Sequence, residues 1–218
     1  MKNDILKSDE CEWSGWRRYS ELDDKNYINF MHKCLSLVRN NTILELGPFL
    51  GWHTSIMLKL GAKKIICVEP NKECLREEVF QTNSDTVALH NCTANDYYAC
   101  NNESVDMVVC CGLLYHLHSP IHLLEKIINI SKPKYILIET IDNCDIGVND
   151  EKFYLLGNAH TDTNITFPIL KHMIMPTQTL IDCIQTTNYR FEKINSCKGY
   201  WNNSSKPTIV STILFKKI

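Results

Sequence analysis

The sequence predicts an α/β fold: a doubly wound mixed sheet of seven strands closed by an antiparallel C-terminal hairpin. Three observations carry that prediction. Short apolar runs alternate with helix-patterned segments between Thr42 and Thr140. The run "SVDMVVCC" is nearly all apolar at its end, as a strand covered on both faces must be. Two strand-like segments, "YRFEKINSC" and "TIVSTILFKKI", then close the chain with no helix between them. That pattern adds a hairpin to a parallel sheet.

The elements follow in order. Met1 to Arg18 is polar and irregular, with Trp13 and Trp16 standing out. From about Leu22 to Val38, Leu22, Tyr27, Phe30, Met31, Cys34, Leu35 and Val38 fit a helix with one buried face. "TILEL" reads as the first strand, and "GWHTSIMLKLG" as a helix closed by Gly61. "KKIICVE" is the next strand; "PNKECLREEVFQ" is the next helix, with Pro70 near its first turn. "DTVALH" and "SVDMVVCC" are strands, "SPIHLLEKIINIS" is a helix begun by Ser119 and Pro120, and "KYILIET" is a buried strand. Ile141 to Met175 has little periodicity, and connections of that length are usually functional or mobile. "MPTQTLIDCIQTTN" resumes as a helix before the hairpin.

The 218 residues suffice for one α/β domain with a sizeable core. Hydrophobic residues at 44% and charged residues at 22% are ordinary for a globular chain. A formal net charge of −2 weighs against a strongly nucleic-acid-binding surface. The 11 cysteines form no Cys-x-x-Cys pair and read as free thiols, which suits a reducing cytoplasm. The N-terminus has no signal-peptide core, and no apolar run is long enough to span a membrane. A cytoplasmic protein is expected.

The chemistry concentrates in "TILELGPFLGWHTSIML". Gly47 follows the first strand and Gly51 opens the next helix. Glycine in a regular element costs about 0.5–1 kcal/mol relative to alanine, so a close backbone approach by a ligand is the expected compensation. Ligands of such sheets sit beyond the carboxyl ends of the strands, where strand order reverses. The amides at the start of the following helix suit a carboxylate. Glu69, ending the next strand, is placed to accept bonds from both hydroxyls of a ribose.

The spacing Glu45-x-Gly47-x-x-x-Gly51 is not the dinucleotide Gly-x-Gly-x-x-Gly. With Glu69 and the terminal hairpin, it resembles motif I of class I S-adenosylmethionine (SAM)-dependent methyltransferases, over roughly Thr42 to Ile218. Phe49 stands where the family's usual form has a middle glycine. The resemblance implies a Rossmann-like methyltransferase fold and SAM as cofactor. It implies cofactor-binding roles for Glu45, Gly47, Gly51 and Glu69, and for Asn95 and Asp96 beside the adenine. Capping of a short helix is the alternative for Asp96. Acceptor-facing residues then fall in "CCGLLYHLHSP", Cys110 to Pro120, where Cys111 borders the cofactor.

The combination of "GWHTSIMLKLGAKKIICVEP" with "GLLYHLHSPIHLLEKI" is similar to a narrower group: the tRNA wobble-uridine carboxymethyltransferases, which form 5-carboxymethoxyuridine from carboxy-SAM. That resemblance matches Gly112, Tyr115 and His116 to a segment near the transferred group. It matches Trp13 and Arg17 of "ECEWSGWRRY" to a pocket for the donor. Arg17 would pair with a donor carboxylate and Trp13 would shield the sulfonium; an arm lying on the domain surface is the alternative. Catalytic roles are expected for Tyr115, as a lining residue, and His116, as a base if the acceptor must lose a proton. Glu139 is a further candidate by position.

One domain over 1–218 follows: an arm and helix (1–40), a cofactor-binding half (42–140), an insertion over the substrate site (141–175, with His160, Phe167 and His172) and a C-terminal helix and hairpin (176–218). No metal is expected, because Ser119-Pro120 separates His116 and His118 from His122. The acceptor is a tRNA uridine or a small molecule; the oligomeric state is open. The alternatives are a non-catalytic SAM-binding partner protein and a nicotinamide-dependent oxidoreductase. Glycine spacing and the terminal hairpin disfavour the latter.

Overall fold

The computed structural model describes residues 16–18, 21–80, 83–142, 154–156, 172–201 and 208–218. All seven predicted strands form: β2 (Thr42–Leu46), β3 (Lys64–Val68), β4 (Val87–His90), β5 (Met107–Cys111), β6 (Tyr135–Asp142), β9 (Tyr189–Trp201) and β10 (Thr208–Lys217). Three short strands join them. β1 (Trp16–Arg18) pairs with the end of β9, while β7 (Tyr154–Leu156) and β8 (His172–Ile174) make a separate antiparallel pair.

The main sheet runs β1-β9-β10-β6-β5-β2-β3-β4. Its β6-β5-β2-β3-β4 portion is parallel, and β10 and β9 are antiparallel. Chain order reverses at β2, whose neighbours are β3 on one side and β5 on the other. The ligand cleft of a doubly wound sheet opens at such a point.

Strands β2, β3, β5 and β6 feed both faces. Under α1 (Glu21–Leu35) and α2 (Trp52–Lys59) lie Ile43, Ile65, Met107, Val109 and Leu137, packed with Tyr27, Met31 and Trp52. The opposite face carries Leu44, Ile66, Val108 and Ile138 under α4 (Ala94–Cys100), α5 (Pro120–Lys126) and α6 (Thr177–Gln185). Alternate residues bury in opposite directions, which explains why these strands carry no polar stripe.

The helix predicted over "PNKECLREEVFQ" does not form as one piece. A 3₁₀ turn at Lys72–Cys74 stops at Leu75, whose backbone is extended (ψ 124°), and α3 covers only Glu77–Phe80. The competitor is local. Asn71 caps the turn through the Glu73 amide, and the Cys74 thiol donates to the Asn71 carbonyl. Such side-chain bonds offer the backbone an alternative to the helix. The helix from Pro120 likewise ends in a π turn, Ile127–Ser131.

Candidate functional site

The site is built from the loops leaving β2, β3, β4 and β5. After Leu46 the chain turns through Gly47 (φ +73°), Phe49 (φ +51°) and Gly51 (φ +81°), all left-handed. Gly47 keeps its amide on the Val68 carbonyl, so the turn starts only after one further rung of the β2–β3 ladder. A Cβ at position 47 would stand 3.5 Å from Leu113, an ordinary contact; Leu113 therefore bounds the space above that turn. Gly51 is constrained more tightly. A Cβ there would meet the Phe80 ring at 2.9 Å and Val79 at 3.0 Å, so α3 packs directly on the start of α2.

Phe49 has no glycine's freedom. A left-handed backbone costs an L residue roughly 1–2 kcal/mol, and Phe49 is 49% exposed. Its amide nonetheless closes the site: Phe49 N–H donates to Glu69 Oε2 at 3.3 Å, and Asn71 N–H donates to Oε1 at 3.0 Å. Glu69 is thus aimed at the Gly47–Gly51 loop. Burial pushes its pKa up, and the Asn71 and Phe49 amides oppose that. Asn91, directly after β4, donates its side-chain amide to the Glu69 and Pro70 carbonyls at 2.8 and 3.1 Å. This ties the loop after β4 to the one that carries Glu69.

Glu45 lies two residues below this corner, in the face under α1 and α2. Its Oε2 accepts from Thr54 Oγ1 at 2.6 Å and from the Cys67 thiol at 3.7 Å. Its Oε1 is buried without a hydrogen bond, with His53 Nδ1 at 3.9 Å, beyond bonding distance. Burial raises the Glu45 carboxyl to about 7, and the Thr54 and Cys67 bonds offset only part of that rise. His53 in turn sits 3.4 Å from the Tyr27 hydroxyl, linking α1 to α2.

On the β5 side, Cys111 is buried and lies beside Glu139 in the β5–β6 register. Burial, then the Glu139 charge, drives its thiol well above its ordinary value, so it is no thiolate nucleophile. Gly112 (φ +75°) donates its amide to the Glu139 carbonyl and starts the 3₁₀ turn Leu114–His116. Tyr115 is buried, its hydroxyl 3.4 Å from where a Cβ on Gly112 would stand; the half-buried His116 ring lies 4.4 Å from the Tyr115 ring. β8 packs against this turn and against β6. Glu139 is buried and accepts from Thr212 Oγ1 at 3.2 Å.

The fold therefore gathers Gly47, Gly51 and Glu69 at one corner, and Cys111, Tyr115 and His116 on the adjoining loop. Asn95 and Asp96 are exposed on α4, their side chains engaged locally: Lys126 Nζ donates to Asn95 Oδ1, and Thr93 Oγ1 donates to Asp96 Oδ2 while accepting from its amide. Thr93 is the cap of α4, and Asp96 is the first-turn residue bonded to it rather than the cap itself. Trp13, His160 and Phe167 lie outside the described residues. The backbone of Arg17 is placed on β1, four strands from β5, or about 19 Å along the sheet. The sheet does not bring Arg17 to the Gly47 corner. Among the described residues no His, Cys, Asp or Glu group has metal-binding geometry, and no helix is long and apolar enough to cross a membrane.

Three residues missed by the sequence reading shape the site: Thr54, Asn91 and Leu113. Thr54 and Asn91 each had a signal. A buried acid on β2 needs a donor from the first turn of the next helix, and Asn91 immediately follows a strand at the carboxyl edge. Leu113 lies in the Cys110–Pro120 segment expected to face the acceptor, but nothing distinguished it from the other apolar residues there.

A profile for the family described as methyltransferase domain matches residues 19–192. A tRNA U34 carboxymethyltransferase of Shewanella sp. (strain ANA-3) is 28% identical over 110 residues, 49% of this chain and 33% of that protein. The chain thus spans about a third of that curated relative. Among solved structures, a Listeria monocytogenes protein described as an S-adenosylmethionine dependent methyltransferase superposes with a TM-score of 0.66 at 13% identity, over 87% of this chain and 97% of that one. The N-methyltransferase NodS from Bradyrhizobium japonicum, in complex with S-adenosyl-L-homocysteine, gives 0.63 at 10% identity, over 98% and 94%. At these identities the likeness is one of fold.

Proposed function

We infer the reaction from one premise: this chain belongs to the methyltransferase domain family, and it is a SAM-dependent enzyme. The donor lies across the corner formed by Gly47 and Glu69, and the acceptor against Tyr115 and His116. The observation that carries this reading is the Glu69 carboxylate facing the Gly47–Gly51 loop through the Phe49 amide. The residues present fit the group: a carboxylate for ribose hydroxyls, a glycine turn at Gly47 bounded by Leu113, and the first-turn amides of α2 for the donor's carboxylate.

Bound SAM supplies a methyl group already activated by its sulfonium. The chain's own work is then placement and exclusion of water. Glu69 accepts the ribose hydroxyls. Gly47 allows the donor's close approach. Tyr115, held against Gly112 and His116, lines the acceptor side, and His116 takes a proton if the acceptor must lose one. The β7–β8 pair, with β8 against the Leu114–His116 turn, covers that side.

The similarity to a tRNA U34 carboxymethyltransferase supports a tRNA uridine acceptor, with carboxy-SAM as the accompanying donor. The net charge of −2 favours the second reading, a small-molecule acceptor with SAM itself. Mass spectrometry of the ligand that co-purifies, followed by calorimetric titration of SAM, carboxy-SAM and S-adenosylhomocysteine, tests the donor. Incubation with tRNA lacking the wobble modification tests the acceptor. No binding of any of the three nucleosides would end the reading. Binding without turnover on tRNA or on a panel of small acceptors would favour the non-catalytic SAM-binding partner.

A further inference from the structure

Phe49 is unusual in three ways at once. It is an L residue in a left-handed conformation (φ +51°), between two glycines that adopt the same region. It is the one aromatic among the large hydrophobic side chains that the described residues expose. Its amide is bonded to Glu69, the carboxylate of the donor corner.

The first two features add up to a deficit within the chain. A bulky side chain at positive φ is strained, and a half-exposed residue recovers only part of the packing that a buried one would. Glycine would avoid both penalties. The compensating contact must come from a molecule outside the chain, and the third feature says which. The Phe49 Cα is one bond from the nitrogen that meets Glu69 Oε2, so the ring leaves the backbone beside whatever Glu69 holds.

We propose that Phe49 is a donor-contacting residue whose ring closes over the nucleoside part of the cofactor, on the ribose that Glu69 grips. This rests on the donor reading above and deepens it. The strained turn presents the ring, the Phe49 amide orders the carboxylate, and the bound nucleoside supplies the apolar cover that the free protein lacks. The surrounding backbone imposes the left-handed turn, so a residue there stays presented whether or not ligand is bound.

The test uses the full chain with Phe49→Gly and Phe49→Tyr, and S-adenosylhomocysteine as the probe. The probe keeps the nucleoside and lacks the sulfonium charge. Two readouts should move in opposite directions. Phe49→Gly should melt no lower than wild type, because the strain is relieved. It should bind the probe about tenfold more weakly, the loss of one aromatic contact. Phe49→Tyr should restore affinity to near the wild-type value. If Phe49→Gly binds the probe as tightly as wild type, the ring contacts something else, such as the acceptor or a protein partner, and the proposal is overturned while the donor reading stands. A lower melting temperature in Phe49→Gly would assign the ring a structural role and also overturn it. If wild type itself binds neither SAM nor the probe, the donor reading fails first.

Discussion

Replacing Glu45 with glutamine should change how the stability of the fold depends on pH. Glu45 is buried, with one oxygen bonded to Thr54 and Cys67 and the other unsatisfied. Its carboxyl is raised from an ordinary 4.5 to about 7, chiefly by burial. A raised carboxyl binds its proton more tightly in the folded than in the unfolded chain. Its contribution to stability is therefore fully present below about pH 4.5 and lost as the pH rises through about 7. At roughly 1.4 kcal/mol per pH unit, that rise amounts to about 3 kcal/mol, a sizeable share of a typical domain stability of about 5–15 kcal/mol. Glutamine has the same shape, keeps an oxygen for the Thr54 hydroxyl and does not ionise. Urea unfolding of wild type and Glu45→Gln at pH 5, 6, 7 and 8 isolates the effect. Glu69 and Cys67, whose pKa values are also raised, are present in both proteins and largely cancel. The variant should gain about 2–3 kcal/mol relative to wild type between pH 5 and pH 8. Parallel curves would refute the reasoning. So would a relative loss in the variant as the pH rises, because the ionised Glu45 would then be a paired anion.

The other predictions concern the loop and the chemistry. Gly51→Ala introduces a Cβ 2.9 Å from the Phe80 ring at a φ of +81°; a loss of about 2 kcal/mol or more, roughly 4–8 °C in Tm, is expected in a thermal melt. Adding Phe80→Leu should recover part of that loss, and strict additivity would show that the ring is not the obstacle. Tyr115→Phe and His116→Ala should lower kcat by about 10²-fold, or more for His116 if it is the base, and leave SAM affinity within a factor of about two. An equal loss of SAM affinity in titration would move both residues to the donor side.

Much of the fold was legible because the signals were local. The two-sided apolar runs at Leu44, Ile66 and Val108 could only be buried parallel strands, and the helix-free interval between Tyr189 and Ile218 required a hairpin. The broken helix after Pro70 was less legible. Its apolar spacing was adequate, and only the Asn71 cap and the Cys74 thiol bond, both short-range competitors, stopped it. Asp96 is engaged with Thr93, which is the residue that caps α4. Glu45 and Glu69 looked alike on paper as acids at strand ends. Strand alternation gives both the same face; they differ in height, Glu45 lying inside β2 under Thr54 and Glu69 just past the end of β3, against the Phe49 amide.

The sequence by itself determined the strand order of function along the chain: a glycine turn after the first core strand, an acid after the second and an aromatic–histidine pair after the fourth. These depend on neighbours within a few residues, and one residue can encode them. Only the tertiary structure decided which groups meet. Leu113 bounds Gly47, Phe80 forbids a side chain at Gly51, the Phe49 amide faces Glu69, and Thr54 takes Glu45 into the core. Each of these pairs joins residues on different elements. Their contact follows from the order of strands in the sheet and the packing of helices on it, which no single stretch of sequence contains.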